Sequence, residues 1–205
     1  MKFFTTTPLL LLALSNLATC SLNAATIVAE IAPGSESCAS DKPDCRTAAQ
    51  AGPLIAQAMA KYKVYSVQQI AAVIALMAFE SGDFAYKHNV SPGRPGQGTA
   101  NMQMAEYNLM YAKQLDGVKD KVANIQSTVG MSDDELNDLL ALVTPDEYNF
   151  GSGPWFLMTQ CGDSVRDALT KDIDTGFEAY MECIGTSLTD DRTEYLERAK
   201  EAFGL

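Results

Sequence analysis

Between Ser66 and Ser81 the chain carries a helical pattern that leaves almost no face for water. Ile70, Val73, Ile74, Met77 and Ala78 recur at three- and four-residue spacing, and Ala71, Ala72 and Ala75 fill the gaps. A helix this apolar all round must sit at the centre of a domain with other elements packed around it. Ser66 supplies a capping hydroxyl for its first turn. Further helical spacing covers residues 48–63, where Gly52 and Pro53 offer an alternative start, and 104–115, 119–129, 132–143, 154–160, 164–171, 175–183 and 190–203. Ser132 to Glu135 reads as a capping box, and Thr144-Pro145 stops the helix that it opens. There is no internal repeat and no alternating stretch longer than a few residues. The class is all-α, with a small β excursion in the Gly- and Pro-rich loop at 82–101.

The first twenty residues read as a signal peptide. Lys2 gives the positive start, Pro8 to Ala18 is an apolar stretch too short to span a bilayer, and Ala18-Thr19-Cys20 places small residues before a cut after Cys20. Ala24 and Ala25 are alternative cut sites. No acidic residue precedes Glu30, which argues against a buried N-terminal helix in the leader. Residues 21–46 then read as an irregular N-terminal arm, broken by Pro33, Gly34 and Pro43. Residues 47–205 form the helical domain, long enough for its own core. Of five cysteines, Cys20 leaves with the leader. The remaining Cys38, Cys45, Cys161 and Cys183 are an even set for an oxidising compartment, and closeness in sequence favours Cys38–Cys45 and Cys161–Cys183. No CxxC pair is present and His88 is the only histidine, so no metal site and no cofactor is expected.

The net charge of −11 argues against nucleic acid and anionic membrane surfaces as partners. It also repels anionic polymers at neutral pH, less so in acid. A monomer is expected.

Three short segments could carry chemistry. Glu80, in Phe79-Glu80-Ser81-Gly82-Asp83-Phe84, ends the most apolar helix. A carboxylate buried there would be costly to ionise, and a carboxylic acid still protonated near neutral pH can protonate a glycosidic oxygen. Asn101-Met102-Gln103 closes the Gly/Pro loop and offers amides to sugar hydroxyl or acetamido groups. Tyr148 and Asn149 lie beside a turn that leads to Trp155, the only tryptophan. Each segment alone has a plain reading: an exposed Glu, a helix start, a core aromatic. Asn89-Val90-Ser91 is an N-glycosylation sequon in the long loop, weakened by Pro92. His88 is given no role.

Taken in order, these segments resemble the lysozyme-like superfamily, closest to its lytic transglycosylase and goose-type lysozyme branches. Those proteins carry a catalytic Glu followed by Ser at the end of a buried helix. A Gly-Leu-Met-Gln motif and an Ala-Tyr-Asn-Ala-Gly motif follow. The matching residues are Glu80-Ser81, then Asn101-Met102-Gln103, then Tyr148-Asn149 with Gly151, within about residues 66–160. Asn101 stands in place of Leu, and Glu147 and Phe150 in place of small residues. The chain is also similar to a group of uncharacterised small secreted fungal proteins with a like Glu-Ser-Gly-Asp-Phe and Pro-Gly-Gln-Gly-Thr pattern.

The resemblance implies a compact lysozyme-like, disulfide-stapled domain with an active-site loop. It implies Glu80 as general acid and later base, and Ser81, Asn101, Met102, Gln103, Tyr148 and Asn149 as substrate-binding residues. The expected partner is a cell-wall polysaccharide or oligosaccharide, a β-1,4-linked polymer of N-acetylated amino sugars such as peptidoglycan or chitin. A second carboxylate is not evident; Asp83, Glu106, Asp146 and Glu147 are the candidates. A single-acid mechanism fits best by the same resemblance. The alternatives are a catalytically inactive secreted effector or glycan-binding protein of this fold, and a plain secreted helical protein in which Glu80 is structural.

Overall fold

A computed structural model of the chain describes residues 23–205. The expected leader, 1–20, lies outside the described residues. Among the described residues the secondary structure is helical, in this order: α1 (Ala24–Ile31), a 3-10 turn (Pro33–Glu36), α2 (Ala48–Lys61), α3 (Val67–Glu80), α4 (Ala105–Ala112), a 3-10 turn (Lys119–Lys121), α5 (Asp133–Ala141), α6 (Asp146–Asn149), α7 (Ser152–Thr159), α8 (Asp163–Lys171), α9 (Ile173–Cys183) and α10 (Asp190–Phe203). No helix among the described residues is long and apolar enough to cross a membrane.

α3 is the axis, as its composition requires. Every residue from Ala71 to Ala78 is buried, and α1, α7, α8, α9 and α10 pack around it. Its four alanines let neighbouring helices approach closely. Trp155, Tyr111, Tyr180, Phe150 and Phe177 fill the core beside it. The Trp155 indole N–H donates to Gln114 Oε1 at 3.0 Å, so this tryptophan is a core residue and not a wall of a sugar site.

The N-terminal arm departs from expectation. Residues 24–31 form a helix where an irregular segment is expected. Asn23 Oδ1 accepts the Ala25 N–H at 3.0 Å, and Ile27, Val28 and Ile31 make an apolar stripe that α2 and α10 cover. The contact with α2 is tight. A Cβ on Gly52 would lie 2.7 Å from the Ala24 carbonyl carbon. This explains Gly52 in mid-helix: α2 starts earlier, at Ala48, where Gln50 Oε1 accepts the Thr47 N–H at 2.9 Å, and Pro53 falls in its second turn.

Two other segments differ. Residues 119–129 form only a short 3-10 turn, and Val129, which a helical spacing would bury, is 90% exposed. Conversely, Pro145 opens α6, its carbonyl accepting the N–H groups of Tyr148 and Asn149 at 2.8 Å each. The Ser132 to Glu135 capping box is present, with Glu135 Oε2 accepting the Ser132 N–H at 2.7 Å. The β excursion reduces to two isolated antiparallel bridges, His88 with Gly98 and Gly98 with Gln103. Both favoured disulfides are formed. Cys38–Cys45 closes the arm with a Cα–Cα distance of 5.7 Å, and Cys161–Cys183 joins the end of α7 to the end of α9 at 5.8 Å.

Candidate functional site

The chain turns sharply after α3, and that turn sets Glu80. Ser81 caps it from inside: its Oγ donates to the Met77 carbonyl at 2.6 Å and accepts the Phe84 N–H at 3.0 Å. Gly82, Asp83 and Phe84 follow with φ of 58°, 56° and 64°. Left-handed backbone costs about 1–2 kcal/mol at each non-glycine residue, so packing must hold it. Phe84 is buried edge-on against Phe150. Asp83 accepts the Gly34 N–H through Oδ2 and the Tyr195 O–H through Oδ1, both at 2.8 Å. The turn leads the chain away and leaves the Glu80 side chain one-fifth exposed at the lip of a cleft.

The second wall comes from the end of the Gly/Pro loop. Gly98 sits between Lys87 and Gln103: its N–H donates to the Gln103 carbonyl, and a Cβ there would lie 2.3 Å from the Lys87 carbonyl oxygen. Thr99 and Met102 adopt φ of 67° and 45°. Gln103 Nε2 donates to Asn108 Oδ1 at 2.9 Å, Asn108 Nδ2 donates to the Gly96 carbonyl at 2.8 Å, and Gln97 Nε2 donates to the Met102 carbonyl at 2.9 Å. This network fixes the Gln97, Gln103 and Asn108 amides and leaves two acceptors of the wall over. Asn101 Oδ1 and Gln103 Oε1 are buried with no protein partner, in residues 7% and 5% exposed. Buried polar atoms are otherwise nearly always satisfied.

α10 and the α9–α10 connection supply the third wall through Ile184, Gly185, Thr186 and Arg192. Arg192 Nη2 lies 2.9 Å from Glu80 Oε1, and its guanidinium stacks 4.5 Å from the centre of the Phe79 ring. Arg192 Nε has no partner. Tyr107, edge-on to Phe156 at 4.8 Å, gives the cleft an aromatic surface. The cleft holds about 370 Å³, and among the described residues Glu80 is the only carboxylate lining it, against Arg94 and Arg192. A second hollow of about 280 Å³, between α1, α2 and α3, is lined by apolar side chains and Tyr65, with no charged residue among the described ones.

The structure therefore brings Glu80, Asn101, Met102 and Gln103 together, and leaves three expected site residues elsewhere. Ser81 is fully buried with its hydroxyl used inside the turn. Tyr148 is turned toward Gly117; its hydroxyl pairs with Glu147, which pushes the phenol pKa up, and its carbonyl accepts the Tyr111 O–H at 2.8 Å. Asn149 is buried outside the cleft, its Oδ1 without a partner. Arg192, Tyr107, Gln97 and Thr186 are the residues that sequence reasoning missed. Tyr107 lies one helical turn beyond Gln103, a usable signal. Arg192 lies 112 residues from Glu80 and gives none.

The other carboxylates have structural duties. Asp83 ties the turn to α10, and its partner Tyr195 is pushed up to about 12 by burial and by that hydrogen bond. Asp146 bridges Arg46 at 2.7 Å and Lys87 at 2.6 Å. Burial raises its pKa, but those two cations outweigh it and hold the carboxyl below its ordinary range. Glu106 and Glu147 are exposed and do not line the cleft. The sequence leads to an unpaired buried acid at position 80; the structure holds an ion pair instead. Arg192 occupies Glu80 Oε1, so contact of that oxygen with a glycosidic oxygen requires the pair to open. Tyr180 lies under the site with its hydroxyl buried and unpartnered, its pKa raised by that burial and by the charge of Glu80. His88 Nδ1 lies 2.8 Å from Asp44 Oδ2, away from the cleft. The Asn89 amide is used to fold the loop, donating to Gln97 Oε1 and accepting the N–H groups of Gly93 and Arg94.

A protein of Fusarium oxysporum (strain Fo5176), named bifunctional dioxygenase (DOX)-epoxy alcohol synthase (EAS), is 59% identical to this chain over 157 residues. Those residues make up 76% of this chain and 12% of the relative. The chain thus matches a small part of a much longer protein. No family model matches the sequence, and no solved structure matches it.

Proposed function

We propose that the chain is a secreted, lysozyme-like protein whose cleft takes a polymer of N-acetylated amino sugars, with Glu80 as the single acid of cleavage. One observation carries this reading. Glu80 lines one cleft with Asn101 and Gln103, 21 and 23 residues further on, and an amide oxygen of each, enclosed in the wall, lacks a protein donor. An acetamido N–H or a sugar hydroxyl is a donor of the right kind. Tyr107 offers a ring face for a pyranose. The two disulfides and the apolar leader expected at 1–20 support an extracellular setting. The name of the Fusarium relative describes a polypeptide of which this segment is 12%, and we read the segment as a separate unit of it.

The Glu80–Arg192 pair favours a second reading, a glycan-binding protein without turnover, because Glu80 Oε1 is engaged by Arg192 at 2.9 Å and not free for a glycosidic oxygen. One comparison separates the two. The protein and its Glu80→Gln variant are tested on bacterial cell walls and on chitin oligomers from about pH 4 to about pH 7. Cleavage by the parent that falls at least about a hundredfold in the variant supports catalysis. Binding by both with no product supports the second reading. Absence of both binding and turnover overturns the proposal.

A further inference from the structure

The hollow between α1, α2 and α3 follows from the residues that face it. α1 crosses α2 at Gly52, so closely that a Cβ there would meet the Ala24 backbone. One and two turns further on, the same face of α2 carries Ala56 and Ala60, too short to fill the space beyond the crossing. Ile27 of α1, Ile74 of α3 and Phe203 at the end of α10 make the larger walls. About 280 Å³ is left between them, and close-packed interiors leave few voids of this size. Ala56 and Ala60 are exposed, so the hollow opens to solvent, and Tyr65 stands at its mouth 71% exposed. The charge around it differs from that of the rest of the molecule. From Cys45 to Phe79 the chain carries no acidic residue, its longest such run in a sequence that holds 26. Lys63 is exposed and directly precedes Val64 and Tyr65 of the lining. Glu30 and Glu201, each two residues from a lining position, do not line the hollow.

We propose that this hollow is a binding site for a medium-chain fatty acid, with the tail between the helices and the carboxylate at the mouth beside Lys63. The proposal does not depend on the sugar-binding reading. Apart from the Tyr65 hydroxyl, the lining offers a ligand no polar side chain, so a hydrocarbon enters at no cost in lost hydrogen bonds. An apolar cavity of about 150 Å³ accepts benzene, and this larger one takes an unbranched chain of about eight to ten carbons. The net charge of −11 opposes an anionic bilayer surface, which favours a free acid as the occupant. A single carboxylate beside Lys63 lies inside the screening length, about 8 Å at physiological ionic strength, and meets no carboxylate of the lining.

Calorimetric titration with hexanoate, octanoate, decanoate and tetradecanoate, each below its micelle concentration, tests this. Affinity is expected to rise about fourfold per added methylene up to decanoate, the worth of one buried CH₂, and to level off beyond it. Decanoate binds about threefold more tightly than decanol, and Lys63→Gln removes that margin. Ala56→Trp and Ala60→Trp fill the hollow from exposed positions. Both are expected to keep the parent's helicity by circular dichroism while decanoate binding falls at least about tenfold. Decanoate binding that survives in both folded tryptophan variants overturns the proposal, as does a failure of every acid to bind the parent. Equal binding of decanoate and decanol by the parent overturns the assignment of a fatty acid. Binding to phosphatidylglycerol vesicles without binding of decanoate gives the hollow to a bilayer and overturns the proposal. Self-association that Ala56→Trp abolishes, again without binding of decanoate, gives it to a second copy and overturns it too.

Discussion

Asp146 carries, on one carboxylate, the tie between the arm and the long loop. Arg46 precedes α2 and Lys87 sits in the loop after α3, and both donate to it. Lys87 is 7% exposed, so removing its partner strands a buried cation. The folded protein keeps Asp146 ionised to lower pH than the unfolded chain does. Its stabilisation is therefore complete above the unfolded carboxylate value, near pH 4, and drains away as pH falls through the folded value. Asp146→Asn is expected to cost about 1–2 kcal/mol at neutral pH, the usual penalty for a buried pair discounted for the partial exposure of this one. The difference between variant and parent closes in strong acid. Urea unfolding of both proteins at neutral pH and near pH 3 checks it. At this scale the candidate site was partly legible. Glu80 could be placed because the apolar pattern of its own helix ends there, and Asn101 and Gln103 because a loop gives way to a helix there. Ser81, Tyr148 and Asn149 match a motif, but local turns absorb their polar groups. Arg192 pairs across 112 residues of chain, a distance no local pattern spans.

Among elements, α3 was legible because periodicity and burial agree over its whole length. α1 was not, because Pro33, Gly34 and the cysteines that follow mark the arm as irregular, while its stripe is only eight residues long. Its stability comes from the close crossing at Gly52, a tertiary cause. The loop 82–101 was legible as a loop and as functional, but not in its path. That path hinges on Gly98, where two bridges meet and where Leu140 Cδ1 would lie 2.8 Å from a Cβ. Gly98→Ala must push the loop off Lys87 or off α5. The expected result is a loss of about 1–3 kcal/mol in stability, and a larger loss of glycan binding than of helicity, because Gln103 is moved. Thermal unfolding together with calorimetry on one preparation separates the two effects. A variant with parent-like stability and binding would show that the loop does not depend on this close approach.

Across the whole molecule, α10 packs along α3 and brings Arg192 to the end of the helix that carries Glu80. The Cys161–Cys183 disulfide ends α9 just before Ile184, Gly185 and Thr186 enter the cleft wall. The all-helical class, the central helix and the two cross-links could be read in advance, since each follows from local pattern or spacing. The cleft itself is made by the packing of α10 and the loop onto α3, and became visible only in three dimensions. The most direct test is a crystal structure of the Glu80→Gln protein with the tetrasaccharide of N-acetylglucosamine and N-acetylmuramic acid. The account predicts sugar in the cleft, against Tyr107 and the Asn101–Gln103 wall and next to residue 80. Sugar bound elsewhere on the molecule, with this cleft empty, would contradict it.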